Sequence, residues 1–306
     1  ARALGRLGDD AGVARAYRLM GDALNRLGRP EEALRAFEEG AAFARKAGDE
    51  REIEERRGIG VTLGPMPVPE AIELVRGIVE ASPRPNVEAL GQLGLLQGMA
   101  GRFDEARALL DDALGRAREQ GAEWKAVAIS IGYASTLLLA DDVEGAERQA
   151  RWALDRLQDM GERSLLSSAA ALLAEILYRS GRLDEAMVMT TVSEAASAPD
   201  DVASQVAWRS VRAKVLAAKG ELEAAERLAR EAVTRGEPTD YLNMRGEAHA
   251  DLATVLRAAG KEEEADRALE TALGLFRRKG NEAAARRLLA TREAPPPPSD
   301  PSPRVR

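Results

Sequence analysis

The sequence repeats itself. The phrase GRPEEA at residues 28–33 returns as GRFDEA at 101–106 and GRLDEA at 181–186, then more weakly as GELEAA from Gly220 and GKEEEA from Gly260. DDVEGA at 141–146 keeps an acid and the alanine but carries Asp in place of the glycine, and in VPEAIELV only a Pro-Glu-Ala core survives. The closing alanines stand at 33, 71, 106, 146, 186, 225 and 265, separated by 38, 35, 40, 40, 39 and 40 residues. So regular a period along a 306-residue chain means an array of small units, each needing its neighbours to bury its apolar face.

Each unit reads as a helical hairpin. A helical pattern of about 15 to 20 residues precedes the glycine, which can adopt the left-handed conformation that ends a first helix, A. The acid two or three places later sits in the first turn of a second helix, B, near the positive end of its dipole. The alanine falls where A and B cross, because helices about 8 to 10 Å apart leave no room for a larger side chain. Aromatic residues make up only 4% of the chain and alanine abounds, the reverse of what a sheet needs.

A second shared phrase follows each helix B: KAGDEREIEE from Lys46, EQGAEWKAVA from Glu119, DMGERSLLSS from Asp159 and RKGNEAAARR from Arg278. Its glycine ends B, and in several copies a polar residue after it can cap the next A. The layout resembles the tetratricopeptide repeat. The first full unit shows it best, with Tyr17, Met20, Gly21, Leu24, Gly28, Ala33, Phe37 and Gly40; the third has Leu90, Leu93, Gly94, Gly101, Ala106, Leu110 and Ala113. The fifth has Leu173, Ala174, Leu177, Gly181 and Ala186. The resemblance implies an all-α, tetratricopeptide-like helical-hairpin solenoid forming a right-handed superhelix; a period near 40 rather than 34 points to longer helices and leaves HEAT-like packing as an alternative.

About 16 helices are expected over residues 1–293, in seven hairpins with one extra helix at each end. Residues 1–8 read as the tail of a helix B, so the chain is expected to be cut inside a repeat. Asn281 to Arg292 is expected to be a C-terminal cap. Prolines at 65, 67, 69, 83 and 85 shorten the second unit, confining its helix B to about Glu70–Ala81. The Pro-rich tail, 294–306, has almost nothing apolar to bury and is expected to be disordered.

Composition closes off most chemistry. The chain has no Cys, which excludes disulfides and thiolate sites, and a single His, His249, which excludes multi-His metal centres. His249 lacks nucleophile or acid partners in the sequence and is expected to pack within the last repeat. With a net charge of −7 and both signs interspersed, no basic field exists for a phosphate backbone. No apolar run reaches the roughly 18 residues of a membrane span, and no signal peptide is evident. The expectation is a cytoplasmic chain without catalytic residues, cofactor or metal, binding neither nucleic acid nor membrane.

Longer phrases in the C-terminal half narrow the resemblance. MGERSLLSSAAALLAEILYRSGRLDEA from Met160, APDDVASQVAWRSVRAKVLAAKGELEAAERLAREAV from Ala198 and TDYLNMRGEAHADLATVLRAAGK from Thr239 resemble the C-terminal repeat arm of bacterial multidomain proteins. Those proteins carry a class III adenylate/guanylate cyclase domain followed by an AAA-type ATPase domain. Their catalytic motifs are missing here: Gly260-Lys261 is followed by Glu262 and completes no phosphate-binding loop. The resemblance implies a regulatory or sensory arm, with a protein, a peptide or upstream domains of the same polypeptide as partner, or alternatively a small molecule.

Binding residues are sought on the A helices, which line the concave face of such solenoids. The repeat register directs Arg18, Asp22, Asn25, Gln92, Glu175, Tyr178 and Lys214 toward that groove. A solvated polar face accounts for such residues equally well. Lys and Asn are absent from the positions a chaperone-tail clamp needs, which hold Arg18, Asp22, Gly91 and Leu95. In QVAWRSVRAKV, Arg209 and Arg212 replace expected apolar residues beside Trp208. Either they pair with acids such as Asp200, Asp201 or Glu175, or with Trp208 they anchor a ligand.

Overall fold

The computed structural model describes residues 8–48, 51–81 and 86–293. Among them are fifteen α-helices and no strand. The first hairpin pairs α1 (Asp10–Arg26) with α2 (Pro30–Ala47), the second α3 (Arg51–Leu63) with α4 (Val68–Ala81), the third α5 (Val87–Met99) with α6 (Phe103–Glu119). The fourth pairs α7 (Glu123–Leu139) with α8 (Val143–Asp159), the fifth α9 (Ser164–Arg179) with α10 (Leu183–Ala196). The sixth pairs α11 (Val202–Ala218) with α12 (Leu222–Gly236), the seventh α13 (Leu242–Ala258) with α14 (Glu262–Lys279), and α15 (Glu282–Glu293) follows. The expected orphan helix over residues 1–8 and the Pro-rich tail lie outside the described residues, Gly8 apart.

All seven crossing alanines, 33, 71, 106, 146, 186, 225 and 265, are 0% exposed. The close approach they permit is tightened by glycine on helix A. A β-carbon on Gly21 would lie 2.2 Å from Phe37, on Gly94 2.7 Å from Leu110, and on Gly246 2.7 Å from Phe276. Glycines 28, 101, 181, 220 and 260 end A helices with φ of 72° to 86°. In the fourth hairpin Asp141 takes that place with φ 62°, the one non-glycine with positive φ among the described residues.

Consecutive A helices (the odd-numbered ones from α1 to α13) pack side by side, while each B helix packs on its own A and on the next. The A helices therefore form an inner layer and the B helices an outer one. One turn of this wall brings its two edges together. The backbone N–H of Asp240 donates to Gly28 O at 3.0 Å, the Tyr241 hydroxyl donates to Asn25 O, and Thr239 packs on Gly28. Lys279, 0% exposed, donates from Nζ to the carbonyls of Val61, Gly64 and Met66 at 3.0, 2.7 and 2.7 Å. These carbonyls close α3, so the ammonium caps that helix end from more than 200 residues away. Burial pulls the Lys279 amine down to about 8.

The C-terminal helix, expected from the sequence as a cap, leaves the regular array of hairpins. After Gly280 (φ 75°), α15 turns inward and reaches α5 and α7 on the far side of the A-helix layer. Asn281 caps it, accepting from Ala284 N at 3.1 Å and donating to Asn243 Oδ1 at 3.0 Å. Leu288 and Leu289, like Leu139 and Ala250, pack against the buried cluster of Ala272, Leu273, Phe276, Ala284 and Ala285, and the Arg286 guanidinium lies on Gly101. The physical reason is the closed wall: once its edges meet, the inner face offers α15 a concave apolar seat. No helix of the described residues is long and apolar enough to cross a membrane.

Candidate functional site

The A helices enclose a channel, and its wall is charged in two ladders. In the C-terminal half, Lys214 of α11 donates to Glu175 of α9 at 2.5 Å and meets Asp251 of α13 at 2.7 Å. Arg179 donates to Glu175 at 2.8 Å, and Lys214 lies 5.0 Å from the centroid of the Tyr178 ring. Four side chains thus tie three A helices together. Burial alone raises the Glu175 carboxyl, but Lys214 and then Arg179 outweigh it and hold the group down to about 2. Burial opposes the Lys214 charge and Asp251 and Glu175 overcome it, so its amine is raised. Asp251 is raised, because burial exceeds the help it receives from Lys214.

In the N-terminal half, Asp22 of α1 joins Arg18 at 3.2 Å and Arg56 of α3 at 3.5 Å. Lys125 of α7 donates to Glu55 of α3 at 2.6 Å, spanning α5. Between them stands Glu88 of α5, 5% exposed and without a hydrogen bond or ion pair to a described residue. Burial raises its carboxyl, and Lys125 only partly offsets this.

Two further charges face the C-terminal half. Glu247 of α13 is exposed on the inner layer, and partial desolvation there, with Asp251 and Glu175 nearby, pushes its carboxyl up to about 7 against the pull of Arg287. Arg287 of α15 is half-buried and faces Glu175, Glu247 and Asp251, with Arg179 as a repelling neighbour. Among the described residues neither Glu247 nor Arg287 has a hydrogen-bond or ion-pair partner.

Of the residues proposed from the sequence, Glu175, Tyr178 and Lys214 come together, and Arg18 and Asp22 form a separate pair on the same inner layer. Gln92 is half-buried on α5 beside Gly58. Asn25 lies at the junction of the two edges, its backbone carbonyl accepting from Tyr241 and its Oδ1 buried without a partner.

Trp208, Arg209 and Arg212 lie elsewhere, between the layers. Trp208 is 4% exposed, with both guanidiniums stacked on its ring at 4.0 and 4.4 Å. The acids suggested for the two arginines are not their partners. Arg209 meets Glu231 of α12 at 3.6 Å and Arg212 meets Glu194 of α10 at 2.7 Å, because both side chains leave α11 toward the flanking B helices. Asp201 instead caps α11 through Ser204 N. His249 bonds Glu237 at 2.8 Å.

Asp251, Arg179, Glu88, Glu247 and Arg287 escaped the sequence reading. A signal existed for two of them: Glu88 and Glu247 each stand 18 residues before their crossing alanines, Ala106 and Ala265, just as Asp22, Glu175 and Lys214 stand 11 before theirs. Among the described residues, no group of side chains is arranged to hold a metal ion.

A tetratricopeptide-repeat family model matches residues 14–39, 87–112, 167–189 and 207–231, that is, the first, third, fifth and sixth hairpins. The chain carries tetratricopeptide repeats in an all-α solenoid. Among solved structures it is similar to a Rap protein complexed with Competence and Sporulation Factor (TM-score 0.68, 15% identity, 90% of this chain and 75% of that one). It is also similar to NprR in complex with its cognate peptide NprX (TM-score 0.64, 17% identity, 93% and 84%). The apo quorum sensor NprR from B. thuringiensis gives a TM-score of 0.52 at 16% identity, over 93% and 81%. At such identities these likenesses establish the fold. No curated protein matches the sequence.

Proposed function

We propose that this chain is a non-catalytic interaction module whose inner channel takes up a peptide or a segment of a partner protein. The carrying observation is the inner wall, where charges are paired across neighbouring A helices yet Glu88 and Glu247 are left without partners. Unpaired charge in an enclosed space is costly unless a ligand answers it. The fold is shared with NprR and Rap proteins, whose structures contain NprX and Competence and Sporulation Factor respectively.

The phrases from Met160, Ala198 and Thr239 support a regulatory or sensor arm of a larger ATPase-linked signalling protein or nucleotide cyclase. A small-molecule ligand is the second reading, favoured by the unpartnered Glu247 carboxyl and Arg287 guanidinium facing one enclosure. Panning a random-peptide display library against the purified chain tests the first reading. A selected peptide that protects α9, α11 and α13 from hydrogen exchange supports it, and failure to select any such peptide counts against it.

A further inference from the structure

The channel already holds a helix. α15 leaves the B-to-A junction with the same Gly-led phrase that starts the other A helices, yet it does not take a regular place beside α13. It sits against α5 and α7, with Leu288 and Leu289 in an apolar cluster reaching Leu139, and Ala283, Ala284 and Ala285 buried. Arg287 faces the acids of the C-terminal ladder while Arg286 rests on Gly101. Resting on the reading of the channel as a binding site, we propose that α15 fills the seat of a partner's helix, one with an alanine and leucine face and adjacent arginines.

Three features converge on that ligand chemistry. The seat accepts a helix, since it holds one now, about 10 Å across. Its floor takes small and leucine side chains: Ala284 and Ala285 are buried with Ala272, Leu273 and Phe276, and Leu288 and Leu289 pack on that cluster. Its charge is acidic where the ligand's arginines come to lie, with Glu247 unpaired and Glu175 and Asp251 sharing Lys214 and Arg179. The tether also keeps α15 at an effective concentration of order millimolar, so a free ligand must outcompete it. An unmodified chain therefore binds such a helix more weakly than its seat allows, by the fraction of time α15 is docked.

The test uses the full chain and a fluorescein-labelled synthetic peptide of residues 281–293, with a scrambled peptide as control. Leu288→Asp with Leu289→Asp, and separately Arg287→Glu, release α15, and circular dichroism reports whether each variant keeps its helix. Leaving the walls intact, the charge variant serves if the leucine variant does not fold. Polarisation is expected to show the released variants binding the peptide at least about tenfold more tightly than wild type, and adding Glu247→Arg is expected to abolish the gain. Folded variants that ignore the peptide, or take the scrambled one equally well, overturn the proposal. So does dimerisation of the released variants, which would assign the seat to a second copy. If a library peptide protects the channel while the 281–293 peptide does not bind, this inference falls and the channel reading stands; if neither binds, both fall.

Discussion

Ala106 lies where α5 and α6 cross, with Leu110 pressed over Gly94, so a larger side chain at 106 finds no space. Ala106→Leu is expected to cost about 1–3 kcal/mol by overpacking, read as a lower urea midpoint; an unchanged midpoint would mean the crossing is placed wrongly. Lys214→Met leaves Asp251 without its ion-pair partner and Glu175 with Arg179 alone, and is expected to cost about 3–5 kcal/mol, measured by the same denaturation. Glu247 behaves in the opposite sense. Its carboxyl is raised from 4.5 to about 7, so within that window the folded chain holds a proton that the unfolded chain has released. Stability therefore falls as pH rises through the window, and the penalty persists above it. Glu247→Gln is expected to raise Tm above about pH 7 and to leave it unchanged below about pH 4; equal shifts at both would rule out a titrating cause. The sequence made the crossing alanines legible because a steric rule recurs with the period. It made Glu175 and Lys214 legible as inner-face charges but not the triad, since Asp251 stands at a different offset from its alanine.

The hairpins were readable for a local reason: glycine ends each helix and an acid or proline opens the next within a few residues. Even the exception follows the rule, because Asp141 adopts the left-handed turn that glycine holds elsewhere. That conformation costs an L-residue roughly 1–2 kcal/mol, part of which a glycine returns as lost chain entropy. Asp141→Gly is thus expected to stabilise by about 0.5–1 kcal/mol, seen as a higher thermal midpoint, whereas destabilisation would show that the Asp141 side chain contributes more than its backbone costs. α15 shows where local reading stops. Its helix was evident from the sequence, but its inward docking depends on the shape of a surface made by α5, α7 and α13, which no local pattern encodes.

The closed wall is the least legible feature of all. Lys279 reads as one of several basic residues in a last helical turn, and only the meeting of α14 with the end of α3 turns it into a buried cap on three carbonyls. Contacts of this kind join residues over 200 positions apart, where periodicity carries no information about how far the superhelix curves. Closure joins the two edges and makes the A-helix face, with its charge ladders, an inner one. Because the chain has no Cys, two introduced ones label uniquely, and Leu27 and Pro238 are exposed residues next to the Gly28–Asp240 junction. Pulsed electron-paramagnetic-resonance distances between spin labels at Leu27→Cys and Pro238→Cys in the full chain measure closure directly. A single short, narrow distance distribution is the predicted result; a long, broad one would contradict the enclosed channel.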